Sequence, residues 1–402
     1  MRKLQMVDLK GQYSKIEKEV NQEMDEVLAS TAYINGPKVH QFQADLEKYL
    51  DVKHVIPCGN GTDALQIAMM GLGLQPGDEV ITADFTFAAT AEVIGLLRLK
   101  PVLVDVDADT YNIDPEAIRK AITPKTKAIV PVHLFGHVAD MEAIMEIAEQ
   151  NDLFVIEDNA QAIGADYTYS SGKTQKAGTI GNVGATSFFP SKNLGCYGDG
   201  GALFTNDDEL AHTLRGVVNH GMYERYHHDV IGVNSRLDSL QAAILGVKLQ
   251  KLDEFSSARQ NAARKYTSKF KSHELIETPE TKTRKKCDTA QCGICDTCDC
   301  HVFHQYTLKI KDGKRDQVAN HLKSQGIPFG IYYPIPLHRQ KAYYDDNVKD
   351  NSFPVTNQLA HEVLSLPMHT ELDNEQIEYI YQEVIKGVNQ EELATVEKTA
   401  KE

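Results

Sequence analysis

Apolar positions along this chain follow two alternating patterns. Short β-branched runs read HVIPC, DEVITADFTF, KPVLVDVD, KAIVPVHLF, LFVIEDNA, ATSFF and GALFT. Between several of them lie stretches with apolar residues at helical spacing, such as DALQIAMMGLGL and DMEAIMEIAEQND. Near-continuous apolar strands separated by helices predict an α/β fold with a mostly parallel sheet covered on both faces. Residues 12–50 read mostly as helix, with a break near TAYINGP. Further on, SLQAAILGVKLQKLDEFSSARQNAARKY is expected to form one long helix that leaves a large domain and enters a smaller one. The smaller domain holds the strand HQYTLKI, a helix near RDQVANHLKSQG, the loop IYYPIPLHRQ and a terminal helix after LDNEQIEYI. The expected division is a large domain over 1–252 and a small α/β domain over 253–402, with a cysteine-rich insert at 285–301. The charged tail EELATVEKTAKE is expected to be frayed or disordered.

Composition narrows the partners. The 402 residues include 42 basic and 57 acidic side chains, for a net charge of -15. That balance argues against nucleic acid or an anionic membrane surface as the main partner. An anionic substrate then needs a locally positive pocket. The opening MRKLQMVDLKGQYSK has no apolar core of signal-peptide length, and no stretch is apolar for long enough to span a bilayer. A cytoplasmic protein with reduced thiols is expected.

Ligands of such sheets bind at the carboxyl ends of the strands, so the chemistry is sought there. CGNGTDA, residues 58–64, follows a strand and opens a helix. Gly59 and Gly61 permit a tight turn, Thr62 suits an N-cap, and the free amides of a helix start bind phosphate. Two other readings stand beside this one: a plain glycine turn, and a dinucleotide site with G-x-G-x-x-A spacing. LFVIEDNAQ puts Asp158 at a strand end, either as a helix cap or as the partner of a ligand cation, with Gln161 within one turn. In SFFPSKNLGCYGDGGALFT, Lys192 also follows a strand end. A lone turn lysine is usually solvated, but one held among apolar groups has a lowered pKa and a nucleophilic amine. A phosphate loop, a strand-end acid and such a lysine, in that order, fit pyridoxal phosphate: a phosphate, a basic ring nitrogen and an aldehyde.

GNGTDAL, FTFAATAE, IEDNAQAIGA, TSFFPSKNLGCYGDGGALFTND and GVNSRLDSLQAAIL, with RYHH and YPIPLHRQ, resemble the DegT/DnrJ/EryC1 family of sugar aminotransferases. The resemblance runs from VDLKGQY to LSLPMH. It implies the fold-type I aminotransferase architecture and pyridoxal 5'-phosphate as cofactor. By it, Lys192 forms the Schiff base, Asp158 pairs with the pyridinium nitrogen, Gln161 contacts the ring hydroxyl and Phe87 stacks on the ring. Gly61, Thr62 and Ser187 hold the phosphate. Asn234 reaches the cofactor of the neighbouring subunit, so a homodimer with shared sites is implied. Tyr33, Ser191, Tyr332 and Tyr333 are expected at the nucleotide sugar, although the pattern has histidine where Tyr332 stands. Arg236 is expected to clamp a carboxylate, in a span that also holds His220, Arg225, His227 and His228.

The implied reaction is amination of a nucleotide-linked keto-sugar by L-glutamate, most closely UDP-2-acetamido-2-deoxy-3-oxo-glucuronate. A 4-keto-6-deoxy nucleotide sugar is the alternative substrate. Dehydratases of the same family resemble the pattern with histidine in place of Lys192, so the lysine favours transamination. A nicotinamide-dependent dehydrogenase built on Gly59 and Gly61 is the alternative from another class, and a metal-binding interaction protein is a further one. That last reading comes from KCDTAQCGICDTCDCH. Cys287, Cys292, Cys295 and Cys298, followed by Cys300 and His301, have the density of a zinc or Fe–S site. Their spacing does not match a two-knuckle zinc site, and a loop of free thiols is the other reading.

Overall fold

The computed structural model describes residues 2–280, 300–346 and 349–390. Seven strands form the central sheet: β1 (His54–Cys58), β2 (Glu79–Ala83), β3 (Lys100–Val104), β4 (Thr126–Val130), β5 (Phe154–Asp158), β6 (Val183–Ser187) and β7 (Gly201–Thr205). Their order is β1-β7-β6-β5-β4-β2-β3. From β6 through β3 every pairing is parallel. β7 runs antiparallel to both of its neighbours. The link from β6 to β7 contains no helix, and a parallel return needs a crossover that usually has one. That link is the Lys192 loop.

Alternation along the strands divides the core between the two faces. Val155 of β5, Ile129 of β4 and Ile81 of β2 pack with Ile144 and Ile147 of the helix Met141–Asn151. Their neighbours Ile156, Ala128, Val130 and Val80 pack on the other face with Leu65, Ile67 and Ala68 of the helix Gly61–Gly71, and with Val93 and Ile94 of Ala89–Leu96. A further cluster seats the helices Pro37–Leu50 and Ser239–Leu249 around Phe188 and Phe204.

A second, antiparallel sheet is formed by β8 (Ile276–Glu277), β9 (Tyr306–Ile310) and β10 (Val363–Leu366). It is backed by the helices Leu252–Phe270, Arg315–Ser324 and Asn374–Asn389. The single long helix expected across residues 239–266 is in fact two, Ser239–Leu249 and Leu252–Phe270. Lys251, at φ -114° and ψ 5°, interrupts them. The break lets Ala242 and Leu245 face the Phe188 cluster while Ala262, Ala263, Tyr266 and Phe270 face the second sheet. One straight rod would not serve both cores.

Phe188 is fully buried and meets Phe42 edge-on, with centroids 5.5 Å apart at 78°. Phe188→Ala is expected to cost about 3–5 kcal/mol through transfer and cavity terms. The check is the melting temperature of the apoprotein by calorimetry; an unchanged value would show that this ring carries no core load.

Candidate active site

The site is built from the carboxyl ends of β5 and β6, which are adjacent and parallel. β5 ends in two carboxylates, and the pleat sends them to opposite faces. Glu157 lies on the face of the helix Met141–Asn151, fully buried. Its Oε1 accepts from the amides of Ile180 and Gly181, both at 2.6 Å, and its Oε2 from the Gly178 amide at 2.8 Å. His133 Nδ1 accepts from the Ala139 amide, so its Nε2 carries the proton donated to Glu157 at 2.9 Å. Every oxygen of this carboxylate is therefore engaged by the fold itself.

Asp158 is different. It is buried on the face of the helix Gly61–Gly71, where Thr90 Oγ1 donates to its Oδ2 at 2.8 Å and the Ala160 amide to its Oδ1 at 3.2 Å. Neither donor is a cation, so the carboxylate retains acceptor capacity for a ligand. Lys192, half-buried in the loop beyond β6, has its pKa lowered to about 8. Burial is the main cause, and the nearby Asp158 carboxylate opposes it. The two groups chosen from the sequence thus act on one another across a single site.

The helix start that faces them is closely packed. A Cβ on Gly61 would lie 2.5 Å from Ser187 Cβ, so glycine alone lets this backbone reach the end of β6. Asn60, not Thr62, is the N-cap: its side chain accepts from the Asp63 amide at 2.8 Å. Thr62 sits inside the first turn, because Asn60 is the last residue with extended backbone. Ser235 Oγ accepts from the Gly59 amide at 2.8 Å and donates to Asp63 Oδ2 at 2.7 Å. This ties the segment carrying Asn234 and Arg236 to the helix start. Asn234 itself is exposed, and Arg236 Nη1 donates to Asn219 Oδ1 at 3.3 Å.

Of the remaining expected residues, Gln161, Phe87, Tyr332 and Tyr333 gather at the mouth. Gln161 Oε1 accepts from the Phe135 amide at 2.6 Å, and its Nε2 reaches the Tyr333 hydroxyl at 3.5 Å. Burial pushes the Tyr333 phenol above its usual pKa. The Phe87 ring, 58% exposed, lies 6.3 Å from that of Tyr333. Tyr332 packs partly buried beside it, and Ser191 sits half-buried next to Lys192. Tyr33 lies apart from these contacts: it is exposed, in the turn after the helix Leu9–Ser30, and its carbonyl accepts from the Ser239 amide.

Four contributors were not singled out in the sequence. Thr90 lay within the motif FTFAATAE, and Ser235 within GVNSRLDS. Asn193 Nδ2 donates to the Val302 carbonyl at 3.0 Å, fastening the lysine loop to the segment before β9. His304 on that segment is buried, with no partner for Nδ1 among the described residues. Burial, with the Lys192 and Arg259 cations, holds its pKa well below the ordinary value. Only folding brings residue 304 beside residue 192, so no local pattern signals it.

Cys287, Cys292, Cys295 and Cys298 lie outside the described residues. Cys300 is buried, and its carbonyl accepts from the Val138 amide at 3.0 Å. His301 stacks on Phe303, with centroids 3.8 Å apart. Among the described residues, no three His, Cys, Asp or Glu side chains are grouped to hold a metal, and no helix is long and apolar enough to cross a membrane.

Comparison with known proteins bears on this geometry. Residues 14–385 match the DegT/DnrJ/EryC1/StrS aminotransferase family. The chain is 46% identical over 381 residues to a pleiotropic regulatory protein of Geobacillus stearothermophilus, covering 94% of this chain and 97% of the relative. It is 45% identical over 377 residues to the UDP-2-acetamido-2-deoxy-3-oxo-D-glucuronate aminotransferase of Pseudomonas aeruginosa, covering 94% and 98%. The crystal structure of S. venezuelae DesV in complex with a ketimine intermediate superposes with a TM-score of 0.88 at 36% identity, covering 97% of this chain and all of that one. The dinucleotide reading of Gly59 and Gly61 is overturned by this match. The chain belongs to the DegT/DnrJ/EryC1/StrS family and is a sugar aminotransferase.

Proposed function

We propose that this aminotransferase carries pyridoxal 5'-phosphate at the site above and moves the amino group of L-glutamate to UDP-2-acetamido-2-deoxy-3-oxo-glucuronate. The observation that carries the reading is the convergence of Asp158, Lys192 and the start of the helix Gly61–Gly71 on one face of β5 and β6. These residues fit the cofactor. The amides of Gly61 and Thr62, with Ser187, suit its phosphate, and Gly61 supplies the close approach. Asp158 has acceptor capacity for a protonated ring nitrogen, Gln161 lies within reach of a ring hydroxyl, and the exposed Phe87 ring offers a stacking face. Bound there, the cofactor supplies an electrophilic carbon for amines and an electron sink for the carbanion left by proton removal.

The protein's own part is binding and proton transfer. Lys192, made partly neutral by burial, is the nucleophile that captures the cofactor and the base that moves the proton from the donor's α-carbon. Asp158 pairs with the ring nitrogen and accepts the hydrogen bond from its proton. Arg236 pairs with a substrate carboxylate, bidentately in the guanidinium manner. Tyr33, Ser191, Tyr332 and Tyr333 line the path of the nucleotide sugar. The 45% identity to the glucuronate enzyme supports this sugar over a 4-keto-6-deoxy one. A homodimer is part of the proposal: Asn234 is exposed and, with the nearby Ile231 at 87% exposure, presents a face suited to a second copy completing the site. The division into a domain over 1–252 and one over 253–402 is likewise proposed; its boundary falls in the first turn of the helix Leu252–Phe270, just after the break at Lys251.

Lys192→Ala is expected to abolish turnover and the visible absorption of lysine-bound cofactor; normal turnover in that variant would refute the assignment. Arg236→Ala is expected to raise the KM for glutamate or sugar by well over about tenfold, since a bidentate carboxylate contact is lost. Unchanged KM values for both would remove Arg236 from the site.

The lowered pKa of Lys192 makes a further expectation. A base whose folded pKa falls below its unfolded value is neutral, and so reactive, once pH exceeds the folded one. Capture of pyridoxal phosphate by the apoenzyme, followed by absorbance in stopped flow, should therefore accelerate as pH rises through about 8. A rate still climbing near the ordinary lysine value, with no inflection near 8, would contradict it.

A further inference from the structure

Two carboxylates stand just beyond the ends of the neighbouring strands β2 and β3: Asp84 and Asp105. Both receive groups from the C-terminal part of the chain. Asp105 accepts from the Val355 amide at 2.9 Å, the Thr356 amide at 2.8 Å and Thr356 Oγ1 at 2.7 Å, capping the helix Pro354–Glu362. Asp84 is fully buried and grips a single residue, His338, at two points. Its Oδ1 accepts from the His338 amide at 2.8 Å, and its Oδ2 lies 2.6 Å from His338 Nδ1. Its backbone carbonyl accepts from the Leu337 amide at 3.3 Å.

The far side of the imidazole is also held. His338 Nε2 lies 2.9 Å from Asp350 Oδ1, while Arg339 clamps Asp350 through Nε at 2.6 Å and Nη2 at 2.8 Å. Phe353 stacks on the imidazole, with centroids 4.4 Å apart at 16°. Both ring nitrogens thus face carboxylate oxygens, which fixes the plane and direction of the imidazole from two sides. Hydrogen bonds to a carboxylate are directional, and the one to Asp84 is fully buried.

The grip joins two loops that both belong to the site. Asp84 begins the segment that carries Phe85 and Phe87. His338 ends the segment that carries Tyr332 and Tyr333. The other end of that second loop is pinned to β10: Gly330 N donates to Ser365 O at 3.0 Å, and Ser365 N to Gly330 O at 2.7 Å. Between the pins, the Tyr333 ring lies 6.0 Å from Phe85 and 6.3 Å from Phe87.

We propose that Asp84 and His338 are a positioning pair that holds the Tyr332–Tyr333 loop in register with the Phe87 loop and thereby sets affinity for the nucleotide sugar. Neither residue enters the amino transfer. The inference rests on the proposed placement of the sugar against Tyr332 and Tyr333. A pair serving stability alone would leave sugar affinity untouched when broken, and this separates the two roles.

The test uses the holoenzyme and three variants. His338→Phe keeps a ring for Phe353 and removes both ring hydrogen bonds. Asp84→Ala removes the buried carboxylate. Asp350→Asn alters only the exposed side and avoids disturbing the core. Amide hydrogen exchange at positions 337 and 338 reports the grip directly. The donor half-reaction with glutamate and the acceptor half-reaction with nucleotide keto-sugar are then measured separately.

The expected result is faster exchange at 337–338 in the first two variants and a sugar KM raised by about tenfold or more, because misplacement rather than lost chemistry is at issue. Asp350→Asn should shift the KM the same way by a few-fold, and the double variant Asp84→Ala/His338→Phe should be no worse than the worse single one, as for residues acting as a unit. The glutamate half-reaction should stay within about twofold of wild type. Faster exchange with an unchanged sugar KM, or an equal loss in both half-reactions, overturns the proposal. KM is read with whichever nucleotide keto-sugar the wild type aminates. A wild type that ignores the uronate defeats the substrate assignment, while the comparison with the variants still decides the role of the pair.

Discussion

The pleat of one strand end governs how this site is made. Glu157 and Asp158 are consecutive, so they must leave β5 on opposite faces, and both are buried. A buried carboxylate requires compensation. On one face the chain supplies all of it: the 178–181 turn and His133 saturate Glu157. On the other, the donors to Asp158 among the described residues are Thr90 and one amide, which leaves acceptor capacity for the proposed ligand. The same face carries the helix Gly61–Gly71 and opens toward the Lys192 loop, so cation, anion and nucleophile partners meet without any one element holding them all.

The lysine loop owes its place to the antiparallel strand β7. A crossover helix after β6 would have carried residue 192 across a face of the sheet. The short return keeps it at the sheet's carboxyl edge, where Phe188, buried against Phe42, anchors one end and Gly201, packed against Asn60, the other. Asn193 adds a tie to the strand-like segment before β9. Burial of the amine then follows from packing, and the fall in its pKa follows from burial.

The C-terminal part of the chain does not merely cover the sheet. Asp84 and Asp105, just past neighbouring strands, accept its backbone amides, and the loop from Gly330 to Gln340 is held between β10 and Asp84. The aromatic residues at the mouth therefore occupy positions defined by two separate sheets. Such double anchoring restricts sliding more than a single contact would, since each end removes freedom left by the other.

Much of this was legible in the residues. Apolar runs alternating with helical spacing determined the layered sheet, because burial of both faces leaves no polar alternation to confuse the pattern. The motifs at three strand ends determined the cofactor class, since a phosphate loop, an acid and a lysine each require a distinct local chemistry. Other features were decided only by tertiary structure. Which of Glu157 and Asp158 keeps spare acceptor capacity depends on the partners waiting on each face. Asn60 rather than Thr62 caps the helix because the backbone leaves extended geometry one residue earlier than composition suggests. The break at Lys251 answers to two cores that no single window of sequence contains. Likewise His304 and the grip of Asp84 on His338 join residues far apart in the chain, and only the closure of long loops brings such side chains together.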